Sequence, residues 1–467
     1  MTGSKVKNPA NKKEKIYMRK IELSEKFTSG KIVLYALPAI ISIIVTTSFG
    51  LVDGYFVSNL LGVDQFAAVN LVFPVLTIFP AAGYMIGAGG SAVISDTMGK
   101  GNKNAACEKF SMTVILTLVT GVILGAIGYF SLPALIDLLG ADEELHEYCM
   151  EYGRIMLCFL PAFMVNMSFE TLWITAEKSW NGFKVSVING LTNALLDWLF
   201  IGCLGMGVKG AGLATSIAHL TAALVTIVYF LLPNKSSLRL RRFAPTVLRD
   251  IPGILFNGAS EMLGTVAGAI GILVMNARAL TFFGELGVDA LGVFFYIFGL
   301  FVAFFYGISN TSVTVIGYKH GHRSIDEIRS ILKRGIVLML AGGVIMVTLC
   351  ELFAEPFAGI FVGYDDSAYE LAVHAIKLQA VTFILFGFNI YVSSVFTGLG
   401  DGLSSLIIAT SHTLVGPILF VFLLPELFGA EGIWYTIVAE SVMTAVLTVS
   451  LLLTRFKKSL VSEKKSE

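Results

Sequence analysis

The stretch from Lys31 to Gly62, KIVLYALPAIISIIVTTSFGLVDGYFVSNLLG, is apolar along nearly its whole length, with one proline, Pro38, and one carboxylate, Asp53. At about 1.5 Å of rise per residue, it spans a hydrocarbon core of about 30 Å with length left for tilt. It is therefore expected to be a transmembrane helix. A carboxylate at membrane depth costs about 2.5 to 3.5 kcal/mol on insertion scales, so Asp53 belongs beside a water- or ion-filled cavity rather than lipid. Pro38 interrupts the hydrogen-bond ladder, which lets the helix bend. A bendable helix with one titratable group points to cation-coupled transport.

The rest of the chain agrees. Its 467 residues are 55% hydrophobic and only 14% charged, and the mean hydropathy is +0.78, values that fit a multispanning membrane protein. Apolar runs recur at 32–61, 66–95, 110–138, 147–175, 184–204, 210–233, 252–277, 287–316, 331–353, 368–398, 403–426 and 431–454. These predict twelve transmembrane helices, and their continuity excludes a β-barrel, whose strands alternate. The first thirty residues are hydrophilic and lysine-rich, with no apolar core followed by a cleavage site, so insertion is expected to begin at the first helix. The five cysteines, Cys107, Cys149, Cys158, Cys203 and Cys350, show no CxxC or CxxH spacing and read as packing residues.

Charge placement predicts orientation. All but Arg154, Lys209, Arg278 and Lys377 of the 33 lysines and arginines lie in the termini or after even-numbered helices, whereas odd-numbered connections are acidic. Cytoplasmic loops collect lysine and arginine, so both termini are expected in the cytoplasm of a cell (inner) membrane protein. The expected organisation is a cytoplasmic N-terminal segment (1–31), an N-lobe of helices 1–6 (32–233), a basic linker (234–251), a C-lobe of helices 7–12 (252–454) and a cytoplasmic tail (455–467).

The two halves echo each other. Gly62-Val63-Asp64 recurs as Gly287-Val288-Asp289, Gly99-Lys100-Gly101-Asn102 loosely as Tyr318-Lys319-His320-Gly321, and Gly207-x-x-Gly210 as Gly429-x-x-Gly432. A six-span unit re-enters from the same side, so the copies are related by an axis along the membrane normal. The fold class is thus an all-α membrane protein of twelve helices in two pseudo-twofold-related six-helix bundles facing a central cleft. The glycine clusters Gly83, Gly87, Gly89, Gly90 and Gly264, Gly268, Gly271 are candidates for close contacts or hinges, although any single one is ordinarily plain helix packing.

Depth counting selects a site. Asp53 lies about 12 Å from the outer end of helix 1, Asp197 about 9 Å from that of helix 5, and Thr215 about 8 Å into helix 6. Asn193 precedes Asp197 by four residues and shares its face. All four present oxygen, the ligand type of hard cations, with no histidine or cysteine beside them to suggest zinc. Two nearby aspartates repel, and such a pair needs a shared proton or Na⁺. The competing reading is that each acid only satisfies a neighbouring helix.

These residues carry a family resemblance. The run from Pro38 to Asp53 continuing as LVDGYFVSNLLG, the Asn193-x-x-x-Asp197 pair, Thr215 and GAGGSAVISDTMGKGN after helix 2 resemble the multidrug and toxic compound extrusion (MATE) family, bacterial branch, over nearly the whole chain. The resemblance implies drug efflux by cation antiport. It implies that Pro38 marks the bend of helix 1 and that Asp53, Asn193, Asp197 and Thr215 line the cation site. Glu261 resembles an acid that some members use in the second lobe, but Asn389 stands where those members have aspartate, which puts a complete second cation site in doubt.

Glu261 is open to two readings, contact with a cationic drug or pairing with Asn257 one turn away. Glu170 and Glu177, near the basic side, read as solvated or ion-paired. Glu440 reads as packing or as a pocket residue. Phe163, Met164 and Met167 in helix 4, with Phe294, Phe295, Phe298, Phe301 and Phe305 in helix 8, could line a cleft for flat apolar cations, although any single one is ordinarily a packing residue. His219, His374 and His412 are scattered singly. No Walker loop or catalytic constellation occurs, so a secondary transporter rather than an enzyme is expected, with no cofactor beyond Na⁺ or H⁺ as coupling ion. The expected partners are small amphipathic cations and membrane lipid, with no nucleic acid, and the protein is expected to be monomeric. The alternatives are a flippase for lipid-linked sugars, which needs cationic groups inside the cleft, and a receptor or scaffold that transports nothing.

Overall fold

The computed structural model describes residues 21–363 and 365–460, and the expectations for the lysine-rich segment before residue 21 and the tail after 460 lie outside them. Among the described residues every regular element is helical. Numbered by membrane crossing, α1 is Ser29–Leu60, α2 is Val63–Ile78 continued by Ala81–Gly99, and α3 is Lys103–Leu138. Next come α4, Glu143–Cys158 with Leu160–Thr175, then α5, Ser179–Asp197 running into a π-helical turn at Trp198–Cys203, and α6, Gly207–Leu231. In the second half, α7 is Ile251–Phe283, α8 Glu285–Gly321 and α9 Ile325–Val362. The last three crossings are α10, Asp366–Ala380 with Thr382–Gly398, then α11, Gly402–Thr410, a π-helical turn Ser411–Val415 and Gly416–Phe428, and α12, Gly432–Thr454.

Nine of these segments are long and apolar enough to cross a membrane alone, and the two bent pairs raise the number to eleven. Gly402–Thr454 supplies a twelfth crossing because it doubles back at Gly429, whose φ of 62° only glycine adopts cheaply, so that α11 and α12 pack side by side. Several helices outrun their apolar runs. α3 begins at Lys103 rather than 110, and α9 covers Ile325–Val362 rather than 331–353. Their first turns carry charge, Lys103 in α3 and Asp326 and Glu327 in α9, and there hydropathy no longer reports helix.

Local chemistry sets the starts. The side chains of Thr28, Asn102, Asp142, Asp365 and Asp401 each accept from a backbone N–H in the first turn of α1, α3, α4, α10 and α11. These oxygens satisfy donors that the helix cannot pair itself. The two parts of α4 meet at 59°, where Pro161 opens the second part, and those of α10 meet at 46°. Large exposed apolar side chains such as Val122, Phe130, Leu352, Ile360 and Leu453 cover the outside, as a lipid-facing surface requires.

The halves correspond element by element. α4 and α10 are both bent, and α5 and α11 both contain a π-helical turn. The second part of α2 packs on α7 and α8, and α1 packs on α8. Glycine makes that approach possible, because a Cβ on Gly89 would overlap the Ile254 carbonyl and one on Gly258 would overlap that of Met85. The helix 2 cluster is thus a set of close contacts. Gly264 and Gly268 instead face open space. Further along, Gly99 abuts the Tyr318 carbonyl, Gly321 abuts Asp96, and His320 Nδ1 lies 3.0 Å from Asp96 Oδ1. The halves are therefore sealed together at the end that carries the basic loops.

Candidate functional site

Three of the four oxygen-bearing residues singled out by depth form one hydrogen-bonded group. Asn193 Nδ2 donates to Asp53 Oδ1 at 3.3 Å and to Thr215 Oγ1 at 3.3 Å, and Thr215 Oγ1 lies 3.5 Å from Asp53 Oδ1. α1, α5 and α6 meet there. Asp197, one turn beyond Asn193, is completely buried, and neither of its carboxylate oxygens finds a donor among the described residues. Its carboxyl lies within electrostatic range of that of Asp53, and Tyr152 of α4 within range of both.

This arrangement has a definite chemistry. Asp53 is half-buried and already accepts from two neighbours, whereas the fully buried Asp197 has no hydrogen-bond donor among the described residues. An unpaired buried carboxylate is costly, so the pair gains by sharing a proton or by gathering around a small cation. The oxygens of Asp53, Asp197 and Thr215 together with the Asn193 amide are a hard-cation donor set.

A second site lies between the halves. A cavity of about 370 Å³ is lined by Ile43, Thr46 and Thr47 of α1, Tyr84 and Ala88 of α2, Glu170 and Thr171 of α4, Glu261, Gly264 and Thr265 of α7, and Tyr306 and Asn310 of α8. It holds two carboxylates and no lysine or arginine. Tyr84 Oη donates to Glu170 Oε1 at 3.3 Å. Glu261 does not pair with Asn257, whose Nδ2 donates instead to the Thr397 carbonyl at 2.8 Å. Glu170 was expected to be solvated or ion-paired near the basic side. Because α4 turns sharply at Pro161, the second part of that helix carries Glu170 to the central cavity. Glu177, by contrast, accepts from the Leu23 backbone N–H at 3.0 Å.

The remaining cleft candidates separate. Met167 lines a smaller chamber of about 80 Å³ that shares Ile43, Thr46, Glu170 and Asn310 with the main cavity. Phe163 is buried and stacks on His219 with ring centres 3.7 Å apart, so it does not line the cavity. Phe298 packs among Phe294, Phe383 and Phe386 within the second half. Asn389 is fully buried, donates to the Ser441 carbonyl at 3.1 Å, and borders a small pocket beside Glu261. Pro38 is buried within an α1 that runs unbroken through it. None of the four cations outside the basic side lines the cavity: Arg154 lies over the Tyr129 ring, Lys209 pairs with Glu151 at 2.8 Å, Arg278 lies against Phe282 and Phe422, and Lys377 is not part of the lining.

Twelve crossings in two like halves around an acidic cavity are the architecture of a membrane transporter. The family model described as MatE matches residues 38–199 and again 261–422, more than half the chain, and the chain belongs to that family. The second match is displaced by 223 residues, from 38 to 261, close to the offset of the glycine motifs. The chain is 25% identical over 417 residues to the multidrug export protein MepA of Staphylococcus haemolyticus, covering 87% of this chain and 90% of that one. It is also similar, at 26% identity and TM-score 0.86, to the outward-facing conformation of a multidrug resistance MATE family transporter of the MOP superfamily, with coverage of 94% and 98%. A third neighbour, a MOP superfamily transporter from Pyrococcus furiosus whose binding pocket of reverse polarity suggests a different function, has TM-score 0.85 and 25% identity, with coverage of 94% and 97%.

Proposed function

We propose that the chain is an antiporter that exports amphipathic, mostly cationic drugs and toxic compounds in exchange for Na⁺ or H⁺. The observation that carries this reading is the meeting of Asp53, Asn193 and Thr215 beside the unpartnered Asp197. Cation binding there would alter α1, with Pro38 as its bending point, and α1 also lines the central cavity through Ile43, Thr46 and Thr47. The two halves would then rock to expose the cavity alternately on each side of the membrane. The natural setting is the inner membrane with both termini in the cytoplasm, the protein acting as a monomer among lipids.

Polarity chooses the substrate class. Glu170 and Glu261 line the cavity without any lysine or arginine, which favours cations and disfavours the pyrophosphate of a lipid-linked sugar. The relatives named multidrug export protein MepA support drugs as the exported class. Expression in a pump-deficient host tests the proposal. Wild type should confer drug resistance and Asp53→Asn should not, and equal resistance from both would remove the role given to Asp53.

A further inference from the structure

We propose that His412 of α11 and Glu440 of α12 form a second proton-binding site, in the second half, that exchanges its proton with the central cavity through the pocket beside Glu261. The proposal deepens the antiport reading and rests on it. Both side chains lie in the membrane-spanning part of the molecule and are buried, with 8% and 2% of their surface exposed. His412 Nδ1 meets Glu440 Oε1 at 2.5 Å, and the hydroxyls of Thr444 and Ser441 donate to Glu440 Oε1 and Oε2 at 3.2 and 3.3 Å. Two ionisable groups in hydrocarbon are costly, and residues of this kind concentrate along ion and proton paths.

The pair is built to hold one proton. With that proton on the imidazole or shared with Glu440, imidazolium and carboxylate are together neutral. When it leaves, a neutral imidazole remains beside a carboxylate that keeps one buried negative charge, stabilised only by neutral donors, the Nδ1–H of His412 and the two hydroxyls, which favours retention until water or a new partner reaches the site. A route for water is present. A pocket of about 40 Å³, room for water, is lined by His412, Asn389, Ser260, Glu261 and Tyr306 among others, and Glu261, Gly264 and Tyr306 also line the central cavity. Asn389 Oδ1 and Ser260 Oγ border that pocket, are buried and have no partner among the described residues. Water in the pocket would satisfy both and carry the proton between Glu261 and His412.

The backbone supports the same position. His412 sits in the π-helical turn Ser411–Val415, a local widening that recurs at functional sites. Gly416, one turn on, leaves space for the Glu440 side chain, which a Cβ would overlap. The titratable groups facing the pair are Glu261 of α7 and Tyr306 of α8 across the pocket. α10 offers neutral side chains, Phe386 against His412, Asn389 and Ser393 at the pocket, and Thr382 bonded to Ser441. Along α12 the next charge is Glu431, nine residues away, or about 13 Å, and paired with His374.

The test uses the full chain in nanodiscs with ¹⁵N-labelled histidine, titrated between about pH 5 and about pH 9. The expected result is a slowly exchanging imidazole signal that titrates, disappears in His412→Gln and shifts in Glu440→Gln. Should His412→Gln fail to fold, His219→Gln removes the other membrane-embedded imidazole and assigns the remaining signal. In proteoliposomes, the reversal potential should report one proton fewer per drug for Glu440→Gln. A His412 signal that does not titrate over that range, or an unchanged proton count in Glu440→Gln, would overturn the site and reduce the pair to a structural link between α11 and α12. The antiport reading would survive that outcome if Asp53→Asn abolishes coupling, and would itself fail if wild-type transport responds to neither gradient.

Discussion

The Asn193 amide lies 3.3 Å from both Asp53 Oδ1 and Thr215 Oγ1, so a single side chain of α5 ties α1 to α6 at the level of the buried Asp197. Removing it leaves Asp53 with the weaker Thr215 contact alone. Asn193→Ala is expected to lower affinity for the coupling cation about tenfold, the equivalent of about 1.4 kcal/mol, the low end for a hydrogen bond to a charged group. Cation-dependent thermal stabilisation of the detergent-solubilised protein measures it.

Asp197 has no donor on either oxygen among the described residues, so its charge is a liability when no cation or proton is bound. Asp197→Asn is expected to stabilise the cation-free protein by about 1 to 3 kcal/mol, the usual cost of a buried unsatisfied polar group, while abolishing further stabilisation by added cation. Melting curves with and without Na⁺, at two pH values, give both quantities.

Backbone meets backbone where Gly89 and Gly258 pack the halves together. Gly258→Val places two methyl groups against the Met85 carbonyl, and neither chain can yield without separating α2 from α7. Spin labels placed at the basic ends of α2 and α8 should move apart, and drug export should fall about fivefold or more, given a cost of about 1 to 3 kcal/mol for overpacking the closed state. Unchanged distances would mean that the halves close elsewhere.

Glu170 and Glu261 are the charges of the central cavity. Loss of one charge from a partly desolvated site costs about 1 to 2 kcal/mol of attraction for a monovalent cation, roughly a tenfold change in Kd. Glu261→Gln and Glu170→Gln should each weaken binding of a cationic dye by that amount and leave a neutral dye of the same size unaffected. Fluorescence titration with the two dyes separates charge recognition from general apolar binding.

Much of this molecule is legible in the chain because the membrane simplifies the physics. Hydrocarbon forces backbone groups to pair within each helix, so apolar runs map to crossings, and a fixed rise per residue turns sequence position into depth. That is why Asp53, Asn193 and Thr215, far apart in sequence, meet at one level. Rotation about a helix axis is a different matter. Apolar residues face both lipid and neighbours, which leaves no periodic signal to say that Phe163 turns toward His219 or that Phe298 joins the rings of α10. Bends are equally opaque. Glu170 reaches the cavity only because α4 turns at Pro161, and His412 looks solitary until α12 brings Glu440 beside it.

Efflux of a cationic dye from proteoliposomes under an imposed Na⁺ gradient and, separately, an imposed pH gradient is the most direct test of the Asp53 site. Wild type is expected to be driven by at least one gradient, and Asp53→Asn by neither while still binding the dye. Gradient-driven efflux of equal rate in both proteins would contradict the assignment of Asp53 as the group that couples the ion to transport.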